Sequence, residues 1–388
     1  MTSPNFRRIV VVGNGIAGLT ASDSLRAAGF DGELTIVGDE HHSPYSRPAL
    51  SKAALLDGGE MTSHQLPAPS HDASELLGAS ASHLDPERKR VHLADGTVVP
   101  YDAVVLATGS RARRFNTGDT RELTLRTLED ALVLRERMRN KPSVIVLGGG
   151  ALGMEIASGC LAAGCTVTLA SRGQPLVRQL RTHLSQVFLS RAQHCGLTLA
   201  ESPAVALHHG DESSRVVLAD GSTLEAELVI SAIGDVPNIE WLQSSGLLLN
   251  RELTVDRRGR VRRDIVAAGD VAAFPTAHGI RRIPLWTSAI EQSKIAALAL
   301  VKGDEAPELD FVPYFWTEQF GLSLKASGFL PPTGLPEVLE SDPDLNRSLL
   351  RWSHEDGSGT AVAINYRIPI PRLRRLSITA PEMVAPAA

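Results

Sequence analysis

The chain has 388 residues, which at roughly 150 residues per domain is enough for two or three domains with sizeable cores. Hydrophobic residues make up 43% and charged residues 21%, and 39 basic against 44 acidic residues leave a net charge of minus 5. Those values exclude disordered and fibrous classes, and they argue against nucleic acid as the main partner, since phosphate binding needs a net basic face.

From the N-terminus, two arginines lead directly into Ile9-Val-Val-Val, too short a run for a signal peptide, so no export is expected. The first unit reads Arg8-Ile-Val-Val-Val-Gly13-Asn-Gly15-Ile16-Ala17-Gly18. An Ala- and Leu-bearing stretch follows to Ala28, then Gly29 as a C-cap, then Glu33-Leu-Thr-Ile-Val-Gly-Asp39. This pattern predicts strand, glycine turn, helix, strand. Further on, Arg90-Val-His-Leu-Ala-Asp-Gly-Thr-Val-Val predicts a β-hairpin with an Asp-Gly turn, followed by the apolar strand Ala103-Val-Val-Leu-Ala107-Thr108-Gly109. A second copy of the whole arrangement begins at Ser143-Val-Ile-Val-Leu-Gly148-Gly-Gly150-Ala-Leu152-Gly153. It passes through a helix to Ala163 and ends at Thr166-Val-Thr-Leu-Ala-Ser171-Arg172. Its own hairpin, Arg215-Val-Val-Leu-Ala-Asp-Gly-Ser-Thr-Leu, and its own apolar strand, Leu228-Val-Ile-Ser-Ala-Ile-Gly234, follow in parallel positions. The glycines at 13, 15 and 18 recur at 148, 150 and 153, an offset of 148 minus 13, or 135 residues. Residues 143–170 are weakly charged, but Glu155 and several glycines break them into separate elements, so no membrane span is expected. After Pro307 the texture changes to aromatic strands around Tyr314, Phe315 and Trp316.

The glycine spacing has a physical reading. The first glycine makes the tight turn, the second lets backbone approach a pyrophosphate, and the third lets the helix pack on its strand. Two copies in the required context predict two dinucleotide sites. At the end of the first unit, Asp39 is placed to accept from an adenosine ribose diol, with Glu40 beside it in the cofactor lining. The second unit has Ser171 and Arg172 there instead. A missing carboxylate removes repulsion toward a 2′-phosphate and a guanidinium can pair with it, which favours NADPH over NADH. The three cysteines, Cys160, Cys165 and Cys195, are too few and too irregularly spaced for a disulfide framework or a zinc site, and the histidines lack ligand spacing with carboxylates. No metal is expected, and a reducing cytoplasm is.

The run His42-Ser-Pro-Tyr-Ser-Arg47-Pro-Ala-Leu-Ser-Lys52 resembles the signature of the FAD-dependent ferredoxin reductases. Ala107-Thr-Gly109, Asp264-Ile-Val-Ala-Ala-Gly269-Asp270, Leu285-Trp286-Thr287-Ser-Ala289-Ile-Glu-Gln292 and Pro313-Tyr-Phe-Trp316-Thr-Glu-Gln319 resemble further family stretches in the family's order. The resemblance implies an α/β fold with two Rossmann-like domains, one for FAD and one for NAD(P)H, and a smaller C-terminal α+β domain. The expected division is 1–113 with 233–310 for FAD, 114–232 for NAD(P)H and 311–388 for the C-terminal domain. By the same resemblance Arg47 reaches the FAD pyrophosphate and Lys52 lies beside the flavin. Asp270 holds a ribityl hydroxyl, and the helix near Trp286, Thr287 and Ala289 closes on the flavin edge. Glu155 pairs with Lys52, and Trp316 sits near the flavin. Ala107, Thr108, Gly109, Arg114, Gly234 and Gly269 complete the cofactor lining.

The implied chemistry is hydride transfer from nicotinamide to flavin, followed by release of single electrons to a ferredoxin-type iron-sulfur protein serving a P450 or oxygenase. No cysteine precedes Cys160, so the cysteine pair of disulfide reductases is missing. The arginines 257, 258, 260, 262 and 263 read either as a solvated face or, with Arg367, Arg372 and Arg374, as a docking patch for an acidic ferredoxin. Two other readings remain open: a flavoenzyme acting directly on a small organic substrate, and a redox-sensing protein similar to apoptosis-inducing factor. The expected assembly is a monomer or homodimer.

Overall fold

The computed structural model describes residues 6–52, 55, 65–116, 121–342, 346–354 and 358–378. The chain divides into two compact units, the first formed from Met1–Ser46, Met61–Arg111 and Val236–Phe311, the second from Arg47–Glu60, Ala112–Asp235 and Val312–Ala388.

The first unit is built on a six-stranded sheet in the order Arg260–Arg262, Ile265–Ala267, Ala103–Leu106, Arg8–Val12, Glu33–Gly38, Ser74–Leu77. All neighbours are parallel except the first pair, which is antiparallel. Its central strand Arg8–Val12 is apolar from Ile9 onward because both faces are covered. Ile9 and Val11 face the helices Ile16–Ala27 and Trp286–Lys302, in a core with Ala21, Leu25, Ala296 and Leu300. Val10 and Val12 face the opposite side, in a core with Leu84, Val91, Tyr101 and Phe274. The period-2 alternation of a strand therefore feeds two separate cores. The expected hairpin forms from Arg90–Leu93 and Val98–Pro100, with the Asp95 carboxylate accepting from the Thr97 amide to close the turn.

The second unit holds a parallel sheet in the order Thr198–Ala200, Thr166–Ala170, Ser143–Leu147, Leu228–Ser231. The second hairpin, Ser214–Leu218 with Thr223–Ala226, repeats the turn chemistry, Asp220 accepting from the Ser222 amide. The helix Leu128–Met138 starts with a capping box between Thr127 and Asp130, and Ala151–Ala162 follows the second glycine motif. An antiparallel five-stranded sheet, Tyr314–Gln319, Leu322–Ser327, Gly359–Ile364, Arg347–Ser353, Glu337–Asp342, belongs to the same unit, together with the helix Ile370–Ile378. The sheet thus groups with the second glycine-motif sheet, and residues 47–60 group with them. The helix Val177–His194 carries a kink that the sequence pattern does not announce: Arg181 has φ 60° and Leu176 caps its start at φ 64°.

Candidate functional site

The three glycines of each motif do three different things. Gly13 adopts φ +114°, and a Cβ there would lie 2.1 Å from the Ala107 carbonyl oxygen. A Cβ on Gly18 would fall 1.8 Å from the Gly13 carbonyl oxygen, so this glycine is required for helix and turn to meet. Around Gly15, by contrast, a Cβ would meet nothing within 4 Å. The middle glycine is therefore unnecessary for packing, and leaves bare backbone at the start of the Ile16–Ala27 helix, where partial positive charge favours an anion.

The second unit repeats this. A Cβ on Gly148, at φ +110°, would lie 2.4 Å from the Ala232 carbonyl oxygen, and one on Gly153 would lie 1.9 Å from the Gly148 oxygen. A Cβ on Gly150 would meet only the Gln179 side-chain amide at 3.4 Å. Leu152, in the first turn of the Ala151–Ala162 helix, is exposed.

In the first unit, the strand Glu33–Gly38 delivers Asp39 and Glu40 beyond the same sheet end. Asp39 is exposed, whereas Glu40 Oε2 accepts from the Tyr45 hydroxyl at 2.6 Å and is held in place. Ala107, Thr108 and Gly109 continue from the neighbouring strand. Thr108 Oγ1 donates to the Asn238 carbonyl at 2.8 Å, and Asn238 Nδ2 donates back to the Thr108 carbonyl at 2.9 Å. Gly269 lies between the two helix starts: a Cβ would be 3.0 Å from Ala17 Cβ and 3.7 Å from Ala289 Cβ. Asp270 accepts from Ser110 Oγ at 3.2 Å, and its carbonyl accepts from Arg282 at 2.8 Å. Ile16, Trp286 and Thr287 are half-buried in the first turns of those helices.

In the second unit, Lys52 Nζ lies 2.9 Å from Glu155 Oε2, with side-chain exposures of 17% and 7%. Glu155 sits inside the Ala151–Ala162 helix, a register that turns it away from solvent. Ser51 Oγ donates to the same oxygen, and Thr317 Oγ1 donates to Glu155 Oε1 at 2.6 Å. Lys52 also donates to the Pro48 carbonyl at 3.1 Å. The family resemblance pointed to Lys52 and Glu155 but not to Ser51, Thr317 or Gln319, although all three stand inside the runs quoted above. Tyr45 was missed in the same way. Trp316 is half-buried and stacks on Tyr314 with ring centroids 5.9 Å apart.

Arg47 donates to the Arg126 carbonyl at 3.0 Å. Arg114 donates to the Glu122 carbonyl and, at 3.4 Å, to Thr124 Oγ1. The Gly234 carbonyl accepts from the Arg113 amide at 2.9 Å. At the end of the strand Thr166–Ala170, Ser171 is buried and Arg172 exposed. A Cβ on Gly149 would come within 2.3 Å of Ser171 Oγ, so Ser171 packs against the bare backbone of Gly149, which has no room for a side chain there.

Three members of the arginine cluster are already engaged: Arg258 with Glu308 at 3.0 Å, Arg260 with Asp256 at 2.8 Å and Asp304 at 2.6 Å, and Arg262 with Glu87 at 2.9 Å. Arg257 and Arg263 are exposed and form no such pair among the described residues, which favours the solvated-face reading. All three cysteines are free thiols. Cys160 packs on the Met138 sulfur at 3.5 Å, and burial, with the neighbouring Cys165, pushes its thiol up to about 12. Among the described residues no group of three or more His, Cys, Asp or Glu is placed to hold a metal ion. Nor is any described helix long and apolar enough to cross a membrane.

The chemistry of the first unit fits FAD. An open glycine at a helix start suits a pyrophosphate, an oriented carboxylate at the next strand end suits an adenosine ribose, and a second acid, Asp270, lies just beyond the strand Ile265–Ala267.

Comparison with known proteins agrees. A family model described as pyridine nucleotide-disulphide oxidoreductase matches residues 7–293. The anthranilate 1,2-dioxygenase system ferredoxin–NAD(+) reductase component of Burkholderia cepacia is 34% identical over 385 residues, 95% of this chain and 93% of that protein. Putidaredoxin reductase CamA of Pseudomonas putida is 31% identical over 339 residues, 82% of this chain and 80% of its own. Among solved structures, the covalent putidaredoxin reductase–putidaredoxin complex matches with a TM-score of 0.86 at 26% identity, covering 96% of this chain and 93% of that one. With two Rossmann-like glycine cradles, FAD as the fitting cofactor and no cysteine ahead of Cys160, the chain belongs to the pyridine nucleotide-disulphide oxidoreductase family, without the cysteine pair that gives the family half its name.

Proposed function

We propose that this protein is an NAD(P)H-dependent flavoprotein reductase that passes electrons to a ferredoxin-type iron-sulfur protein serving an oxygenase. The observation that carries this reading is the duplicated cradle, in which Gly15 and Gly150 leave backbone bare at two helix starts while the outer glycines of each motif are needed for packing. One chain built for two dinucleotides suits transfer between them, and the relatives designated ferredoxin–NAD(+) reductases and putidaredoxin reductase support the protein acceptor.

In this reading Gly13, Gly15, Gly18, Gly269 and Asp270 hold FAD. Glu40 takes the adenosine ribose in preference to Asp39, because Tyr45 already fixes its carboxylate. FAD, when bound, supplies an acceptor for two electrons that gives them up one at a time. Gly148, Gly150, Gly153, Leu152, Ser171 and Arg172 serve the nicotinamide nucleotide. Lys52 and Glu155 form the charge pair that serves the transfer, and Arg47, Arg114, Gly234 and Trp316 take the supporting roles that the family resemblance gives them. The expected three-part division of the chain and a cytoplasmic site of action belong to the same proposal. So does an NADPH preference, which rests on Ser171 and Arg172 alone; the relatives' designation as NAD(+) reductases does not support it.

The test is direct. Purified protein is expected to be yellow, with about one releasable FAD per chain, and to reduce a small ferredoxin rapidly with NADH or NADPH. A colourless protein that FAD cannot reconstitute refutes the reading. A yellow protein that oxidises the nucleotide but reduces no ferredoxin refutes the protein acceptor alone.

A further inference from the structure

The Glu155 carboxylate has more partners than an ion pair with Lys52 requires. Oε2 accepts from Lys52 and from Ser51, and Oε1 accepts from Thr317 Oγ1 at 2.6 Å. Thr317 is fully buried on the strand Tyr314–Gln319, directly after Trp316, and its oxygen accepts from Gln319 Nε2 at 2.8 Å. A threonine hydroxyl has one proton to give. Because the Gln319 amide is aimed at its lone pair, that proton is left to point at Glu155. With the amide turned over, the Gln319 oxygen would compete for the proton, and two bare oxygens would face each other 2.6 Å apart. The observed orientation leaves Gln319 Oε1 buried with no hydrogen-bond partner among the described residues. An unmade buried hydrogen bond destabilises a fold, and calls for a reason. Here the reason is the direction of the donors along the line Gln319, Thr317, Glu155, Lys52.

We propose that Thr317 and Gln319 are positioning residues for the Lys52–Glu155 pair. Gln319 orients the Thr317 hydroxyl, Thr317 holds Glu155 Oε1, and Oε2 is thereby kept on Lys52 and Ser51. Successive residues of a strand point to opposite faces, so the same clamp fixes the register of the strand that presents Trp316. The inference rests on the reading that the Lys52–Glu155 pair serves electron transfer from the nicotinamide nucleotide.

Thr317→Val removes the hydroxyl at nearly constant volume, Thr317→Ser restores it, and Gln319→Leu removes the second donor. In FAD-loaded enzyme mixed rapidly with its preferred nucleotide, Thr317→Val is expected to slow flavin reduction at saturation by about ten-fold, the effect of one charge-assisted hydrogen bond. The nucleotide dissociation constant should change by less than about two-fold, Thr317→Ser should recover most of the rate, and Gln319→Leu should cost about three-fold. A readout independent of turnover comes from urea unfolding of the FAD-free protein. The stability losses of Thr317→Val and Glu155→Gln should be clearly less than additive in the double variant.

A Thr317→Val enzyme reduced at the wild-type rate overturns the proposal. So do additive stability losses, or a slowed Thr317→Val that serine does not rescue. If Thr317→Val does not fold, Gln319→Leu decides alone, and a wild-type rate there is refuting. If Glu155→Gln itself is reduced at the wild-type rate, the functional reading of the pair falls first. If Glu155→Gln is slow and the Thr317 and Gln319 variants are not, only the positioning role falls.

Discussion

Gly15→Ala separates a glycine kept for its ligand from a glycine kept for its fold. A methyl group at position 15 enters open space, and the backbone there, at φ −89°, is one that alanine adopts freely. Alanine at a helix N-cap costs about 0.5–1 kcal/mol, and the reduced freedom of the unfolded chain returns about 0.4–1 kcal/mol. The FAD-free protein should therefore unfold in urea within about 0.5 kcal/mol of wild type. Its affinity for FAD should fall by roughly ten- to a hundred-fold, because the methyl group stands where a pyrophosphate must approach the helix start and displaces a charge-assisted contact of about 1.5–3 kcal/mol. Gly18→Ala is the control. Its Cβ would lie 1.8 Å from a backbone oxygen, so the FAD-free protein itself should lose about 1–3 kcal/mol or more. Urea denaturation of the stripped protein and FAD titration by fluorescence quenching measure the two quantities separately. A Gly15→Ala protein that binds FAD as wild type does, or that is destabilised as much as Gly18→Ala, refutes the assignment of roles.

Arg172→Glu should shift the NADPH to NADH ratio of kcat/KM toward NADH by about ten-fold or more, since Arg172 is exposed at the strand end; an unchanged ratio means that the side chain meets only solvent. Position 171 is unsuited to the same test, because Ser171 is buried and its replacement would disturb packing as well as charge. At pH 8 iodoacetamide should label the exposed Cys195 and leave Cys160 unmodified in the native protein, because with its pKa pushed up to about 12 only about one Cys160 in ten thousand is thiolate; peptide mapping showing Cys160 labelled as fast as Cys195 contradicts its burial. The hydrogen bond from Arg111 holds the Glu240 carboxyl below its usual range. Its folded pKa is the lower one, so its contribution is present above the unfolded value and is lost as pH falls below about 4.5. Glu240→Gln should flatten the acid limb of the stability curve there, and an unaltered limb contradicts the pairing.

What could be read from the sequence was local. Gly18 and Gly153 are required by the carbonyl oxygens of Gly13 and Gly148, five residues before them, so that spacing is visible in the sequence, and the Asp-Gly hairpins close through Asp95 and Asp220, whose partners are two residues away. Lys52 and Glu155 were legible only through resemblance to a family, because nothing in the spacing of residues 103 apart announces an ion pair. Thr317 meets Glu155 across 162 positions, and neither side chain is unusual in its own neighbourhood. For the arginine run the sequence left a solvated face and a docking patch both open, because three of the carboxylates that engage it, Glu87, Asp304 and Glu308, lie far along the chain. The kink at Arg181 stayed hidden for another reason: the apolar period of the helix continues through it, and the backbone departs from the helix at a residue with no turn chemistry of its own.

The order in which the first unit's strands are used has a consequence for biosynthesis. Its sheet joins Ala103–Leu106 to Ile265–Ala267, and its helix layer pairs Ile16–Ala27 with Trp286–Lys302, so the first and last pieces are separated by the entire stretch that forms the second unit's parallel sheet. A nascent chain that has left the ribosome only as far as residue 235 already contains all four strands of that later sheet. The earlier unit at that moment still lacks a sheet neighbour and half its helix layer, with Ala21 and Leu25 uncovered. Long-range pairing of this kind closes slowly. Of the two parallel sheets, that of the first unit is therefore the later to close, and the window during which its apolar face is open to chaperones, or to wrong partners, is set by the time needed to translate what lies between.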